Sequence, residues 1–94
     1  MAAAGYPDSV RKGDAIDGLT QAATLPGKIF HAGTELDAGR VVTNGGRVLC
    51  AVGVGASVAA AQQQAYALAD TVRWPGVQYR RDIGHRALAR EQQR

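Results

Sequence analysis

Cysteine is all but missing from this sequence: among 94 residues there is one, Cys50. A lone thiol excludes an internal disulfide. It lies in the apolar run Val48-Leu49-Cys50-Ala51-Val52, where a free Cys packs as a small hydrophobe, so Cys50 is expected in the core. A nucleophilic role would need a base and an electropositive pocket, and no neighbour in the sequence supplies them. Aromatic residues are scarce too, at 5%, with one Trp and one Phe. The hydrophobic fraction is nevertheless 46%, much of it alanine and valine. That suits a folded chain with a thin core of small and β-branched side chains, one that leans on a neighbour for part of its stability. The two histidines, His31 and His85, have no second His or Cys at ligand spacing, so a zinc site is not expected. No apolar run approaches the ~20 residues that span a bilayer. The opening Met1-Ala2-Ala3-Ala4-Gly5 has neither the basic region nor the apolar core of a signal peptide. A reducing cytoplasm is the expected compartment. Met1 reads as a start placed on a domain cut from a longer chain.

What the sequence does have is positive charge, unevenly spread. The net charge is +3, and Arg73, Arg80, Arg81, Arg86, Arg90 and Arg94 crowd the last quarter against Asp82 and Glu91. Local charge of this kind attracts phosphate, nucleic acid or an acidic partner. Arg90 and Arg94 are equally well explained as solubilising residues on a helix face.

The length allows one domain, residues 1–94. Residues 1–27 carry little periodicity and are punctuated by Gly and Pro, which predicts a loop-rich lead-in. Within it, Asp14-Ala15-Ile16-Asp17 reads as a short strand, with Ile16 and Leu19 turned inward. A compact core is predicted over 28–94. Residues 28–34 read as a strand closed by a polar turn at 35–39. Asn44-Gly45-Gly46 between β-branched runs predicts a hairpin joining residues 40–43 to 47–54. Residues 57–72 read as a helix capped by Ser57, with Val58, Ala61, Ala65, Leu68 and Val72 on the face that covers the sheet. Trp74-Pro75-Gly76 stops it. Val77-Gln78-Tyr79-Arg80 reads as a last strand and residues 87–93 as a short helix. The expected fold is therefore α+β: a small antiparallel sheet with a central hairpin, one main covering helix and a short C-terminal helix.

Three patterns invite a chemical reading. Gly53-Val54-Gly55 lies where a phosphate loop would, between strand and helix. Val58 stands where a dinucleotide fingerprint wants Gly or Ala, and a tight turn explains the glycines better. Gly55-Ala56-Ser57-Val58-Ala59 brushes the nucleophile-elbow pattern but has Ala59 for its second glycine. Helix capping accounts for Ser57. His31, inside a strand, reads as a hydrogen-bonded structural histidine. The third pattern is the densest: Tyr79-Arg80-Arg81-Asp82-Ile83-Gly84-His85-Arg86. Guanidinium groups offer planar, bidentate donors for phosphate. In a strand Arg80 and Arg81 point to opposite faces, with Asp82 placed to orient one of them. A surface ion-pair cluster is the bland alternative.

Taken in order, Gly5-Tyr6-Pro7, Lys12-Gly13-Asp14, Phe30-His31-Ala32-Gly33-Thr34, the run from Val41 through Asn44-Gly45-Gly46-Arg47 to Leu49, and the arginine segment ending at Ala87 cover almost the whole chain. In this order and spacing the chain resembles the carboxy-terminal domain of the glycinamide ribonucleotide synthetases (phosphoribosylamine–glycine ligases), which are ATP-grasp enzymes. The resemblance implies a small antiparallel domain with a hybrid-motif sheet, packed on an ATP-grasp body. That body uses ATP and Mg²⁺ (or Mn²⁺) to activate glycine for attack by 5-phosphoribosylamine, in purine biosynthesis. It further implies that Arg80 and Arg81, with His85 and Arg86 as weaker candidates, meet the substrate phosphate. The nucleotide loop and metal carboxylates of the body are not in this sequence, so no cofactor is expected here and the chain alone is expected to lack ligase activity. Ala60 stands where the family often has an acidic residue three after the helix cap. Two other readings remain at this stage. One is a packing module that touches no substrate. The other is a free-standing anion or nucleic-acid binder, disfavoured because its arginines lack interleaved aromatics.

Overall fold

The computed structural model describes residues 1–92. Its elements run α1 (Leu19–Ala22), β1 (Lys28–His31), β2 (Thr34–Asp37), β3 (Arg40–Thr43), β4 (Leu49–Val52), α2 (Val58–Thr71) and α3 (His85–Gln92). This is the expected α+β class, with the antiparallel pairing divided between two two-stranded sheets, β1–β4 and β2–β3. The predicted helix end at Gln93, and Arg94, lie outside the described residues.

The hairpin is not where Asn44-Gly45-Gly46 pointed. β2 and β3 pair from Thr34↔Thr43 to Asp37↔Arg40, so the two-residue turn is Ala38-Gly39. Both residues have positive φ, 52° and 79°, as a type I′ turn requires. β3 and β4 do not pair; β4 pairs instead with β1, from Lys28↔Val52 to His31↔Leu49. The Asn-Gly-Gly segment carries the chain from one sheet to the other, directly over Gly33. Gly33 N–H donates to Arg47 O at 2.9 Å, and Asn44 N–H to Gly33 O at 2.7 Å. A Cβ on Gly33 would sit 2.7 Å from Arg47 O and 3.1 Å from Gly45 Cα. Close backbone approach asks for the same residue type as a tight turn, and that is why the pattern misled. The predicted strand over 28–34 accordingly breaks at Ala32-Gly33 into β1 and β2.

Ser57 caps α2 as its sequence position implied, its Oγ accepting the Ala60 N–H at 3.1 Å. α2 lies across β4 and buries Ala65, Leu68 and Ala69, while Val72 closes its end at 1% exposure. Leu68 and Val72 pack with Val48, Leu49 and Trp74, and with Ala3, Ile16 and Ala22 from the first 27 residues. Asp14-Ala15-Ile16-Asp17 makes two isolated bridges, Ala15 to Val42 and Asp17 to Arg73, rather than a strand. Val77 to Arg80 likewise makes one bridge, Gln78 to Ala2.

Cys50 is exposed, against the expectation of a core thiol. The helix covers one face of β4, so side chains alternate: Leu49 is buried and Cys50 points away. An apolar run had suggested a strand covered on both faces.

The radius of gyration is 14.4 Å and the extents are 50 × 31 × 17 Å. A compact domain of this length would have a radius near ~12 Å. The slab shape leaves Phe30 49%, Leu36 72% and Val54 73% exposed, apolar area that fits a domain leaning on a neighbour.

Candidate functional site

The arginine segment is held against the C-terminal half of α2. Tyr66 and Asp70 stand one helical turn apart and so face the same way. Arg81 reaches Asp70 with both terminal nitrogens, Nη1 to Oδ2 at 3.2 Å and Nη2 to Oδ1. The Tyr79 hydroxyl also donates to Asp70 Oδ1 and accepts from Arg81 Nη2 at 3.1 Å. The guanidinium carbon lies 5.3 Å from the centre of the Tyr66 ring and 4.9 Å from that of Tyr79, within cation–π range of both. Tyr66 completes the attachment by accepting the Ile83 N–H at 3.0 Å, and Gln62 Nε2 donates to Ile83 O at 2.9 Å.

These contacts set the local charge states. The hydrogen bond from Arg81, then that from Tyr79, holds the Asp70 carboxyl below the ordinary Asp value. Donation to Asp70 raises Tyr79 in turn, so the phenol stays protonated. Arg81 is thus braced on three sides.

Arg80 is held differently. It makes a bidentate pair with Asp82, Nε to Oδ1 at 2.9 Å and Nη2 to Oδ2 at 2.7 Å, and this pair lowers the Asp82 carboxyl. The Arg80 side chain is 76% exposed, and among the described residues its hydrogen bonds and ion pair are all to Asp82. His85 Nδ1 lies 3.0 Å from Asp82 O; a carbonyl only accepts, so this nitrogen carries the proton. Arg86, in the first turn of α3, makes no hydrogen bond or ion pair with any described residue. Arg80, Arg81, His85 and Arg86 are all exposed. Residues 79–82 are not a strand, so the two arginines are separated by their carboxylate partners rather than by strand alternation. Asp82 does orient an arginine, Arg80. The partner of Arg81, Asp70, was not foreseen, although its spacing from Tyr66 on a predicted helix was the available signal.

The remaining sequence candidates are structural. His31 Nδ1 lies 3.0 Å from Thr34 Oγ1. A Cβ on Gly53 would fall 2.0 Å from Ala61 O, and Val54 N–H is taken by Gln64 Oε1 at 2.7 Å. The Gly-Val-Gly segment therefore packs on α2, as a tight strand-to-helix turn requires. Among the described residues no three His, Cys, Asp or Glu side chains cluster to hold a metal ion. No described helix is long and apolar enough to cross a membrane. Trp74 is buried at 4% exposure, and the Arg81 guanidinium lies against the Tyr66 and Tyr79 rings.

Fold and site together define a class: a thin α+β accessory domain whose basic end is clamped to its main helix, and whose apolar surface suits work beside a larger body. The profile that matches it is that of the phosphoribosylglycinamide synthetase C domain, over residues 1–86. The chain belongs to this family. It is 63% identical over 91 residues to a phosphoribosylamine–glycine ligase of Pseudomonas aeruginosa, covering 97% of this chain and 21% of that protein. A ligase of the same name from Vibrio vulnificus is 57% identical over 94 residues, covering 100% of this chain and 22% of the relative. A crystal structure of the Thermotoga maritima phosphoribosylamine–glycine ligase superposes with a TM-score of 0.73 at 47% identity, over 86% of this chain and 19% of that one. The chain thus spans about one fifth of the length of the ligases it matches.

Proposed function

We propose that this domain serves a phosphoribosylamine–glycine ligase, in the cytoplasm, as the part that closes over the active site and receives the phosphate of 5-phosphoribosylamine. The ATP-grasp body of the ligase is its partner and supplies ATP and Mg²⁺; the domain supplies charge and position. The observation that carries this reading is the difference between the two arginine pairs. Arg81 is locked by Asp70 and two tyrosine rings, so it fixes the course of residues 79–83. Arg80 is exposed and shares its charge with one exposed carboxylate, a pairing worth little in water. A phosphate dianion offers more charge than Asp82 and matches the guanidinium fork equally well. Exchange of Asp82 for phosphate at Arg80 is therefore cheap, with His85 next to Asp82 and Arg86 following it in the sequence to add donors. Anchoring the phosphate away from the reacting amine turns binding energy into orientation of that amine.

The test is kinetic, in a full-length ligase carrying this domain. Arg80→Ala is expected to raise the KM for phosphoribosylamine at least tenfold and leave the KM for ATP within twofold. Arg80→Lys restores part of the loss. Equal effects on both substrates, or none on either, would discard the anchoring role.

A further inference from the structure

α2 meets the arginine segment through one row of side chains. Val58, Gln62, Tyr66 and Asp70 recur every four residues, so they line a single ridge of the helix. The segment runs along that ridge in the opposite direction. Asp70 binds Tyr79 and Arg81, Tyr66 binds Arg81 and Ile83, and Gln62 binds Ile83. At the far end, a Cβ on Gly84 would stand 3.4 Å from Val58 Cγ1. Between Tyr79 and Gly84 the segment belongs to no strand or helix. Its course therefore depends on these side chains and not on a backbone ladder of its own.

Tyr66 holds the segment on both sides of Asp82. Its ring lies under the Arg81 guanidinium, 5.3 Å from centroid to carbon, and its hydroxyl accepts the Ile83 N–H at 3.0 Å. Gln62 Nε2 donates to the Ile83 carbonyl at 2.9 Å, so α2 satisfies both polar groups of that residue. Gly84 follows with φ 67° and turns the chain into α3. The start of α3, with His85 and Arg86, thus takes its place from Ile83. Arg80 bonds only to Asp82, so the clamped residues on either side of it decide where its side chain begins. Asp70 carries a charge that a phosphate would feel at a distance. Tyr66 carries none, and without touching the substrate its hydroxyl can act only through geometry.

We propose that Tyr66 is a positioning residue for phosphoribosylamine. It touches no substrate; by holding Arg81 and Ile83 on α2 it sets the point from which Arg80 meets the phosphate. A guanidinium fork matches a phosphate in a defined orientation, so a shift of the backbone at Arg80 weakens the pairing. The inference rests on the anchoring role proposed above and adds to it a residue of the main helix, 14 positions before Arg80 in the sequence.

The experiment is a double-mutant cycle in a full-length ligase carrying this domain, with Tyr66→Phe, Arg80→Ala and the pair. Tyr66→Phe removes one hydroxyl and leaves a ring under Arg81. It is expected to raise the KM for phosphoribosylamine about three- to tenfold, the worth of one hydrogen bond. kcat and the KM for ATP stay within twofold. Gln62→Leu, which strips the Ile83 carbonyl of its donor, moves the same constant in the same direction. In the Arg80→Ala background Tyr66→Phe adds less than twofold, because the group it places is gone. A tyrosine that served stability alone would lower the melting temperature and the amount of active enzyme and leave both KM values unchanged. That result overturns the proposal. So do effects of Tyr66→Phe and Arg80→Ala that multiply in the pair, which would give Tyr66 a substrate contact of its own. In either case an Arg80→Ala enzyme with a raised KM for phosphoribosylamine leaves the anchoring role standing. If Arg80→Ala changes nothing, both fall.

Discussion

Replacing Gly33 with alanine tests the crossing of the two sheets, the feature on which the positions of β1 to β4 depend. The new methyl group would lie 2.7 Å from Arg47 O, 3.1 Å from Gly45 Cα and 3.2 Å from Asn44 O. All three are backbone atoms, so no side chain can swing aside. The strands must part by a few tenths of an ångström, stretching the bonds Gly33 N–H to Arg47 O and Asn44 N–H to Gly33 O. Two weakened backbone hydrogen bonds cost about 1–3 kcal/mol, and overpacking adds about 1–3. Reduced freedom of the unfolded chain returns about 0.4–1 kcal/mol. The net loss is about 1–5 kcal/mol, a large share of the roughly 5–14 expected for a domain of this length. Urea unfolding followed by Trp74 fluorescence reads it directly, because that indole is buried. Gly39→Ala is the control: nothing lies within 4 Å of its Cβ, and only its positive φ opposes the change, at about 1–2 kcal/mol. If Gly33→Ala lost less than 0.5 kcal/mol, the close-approach account of the Asn-Gly-Gly segment would be wrong.

Two further outcomes follow from other sites. Ala38 holds a positive φ in the β2–β3 turn, so Ala38→Asn is expected to add about 0.5–1 kcal/mol by supplying the residue a type I′ turn prefers; a lower urea midpoint would contradict it. The Asp70 carboxyl is held low in the fold, so its contribution is complete above about pH 5 and is lost as acid protonates it in the folded state. Asp70→Asn should therefore flatten the fall of urea midpoints between pH 5 and 3, and parallel profiles for the two proteins would refute the link.

Much of this molecule could be read from its residues, and the failures share a cause. α2 was legible because Ser57 and the three-and-four spacing from Val58 to Val72 act within one element. The arginine segment was legible as a cluster because charge needs no geometry to be noticed. Partners brought together by tertiary structure were not legible. Asp70 lies 11 positions from Arg81, and nothing local marks them as a pair. The Asn-Gly-Gly segment satisfied a local hairpin rule while its glycines were required by Gly33, a contact between sheets. Cys50 was misplaced because hydrophobic neighbours reveal a strand but not how many of its faces are covered.

The attachment of Ile83 to Tyr66 and Gln62, and of Arg81 to Asp70, makes the Arg81 guanidinium part of the rigid frame of α2. Arg80 extends from the backbone that this clamp holds. In the proposed role, Arg80 would meet the phosphate from a backbone position that the Arg81 clamp keeps constant, and loosening the clamp would blur that position without removing a single positive charge.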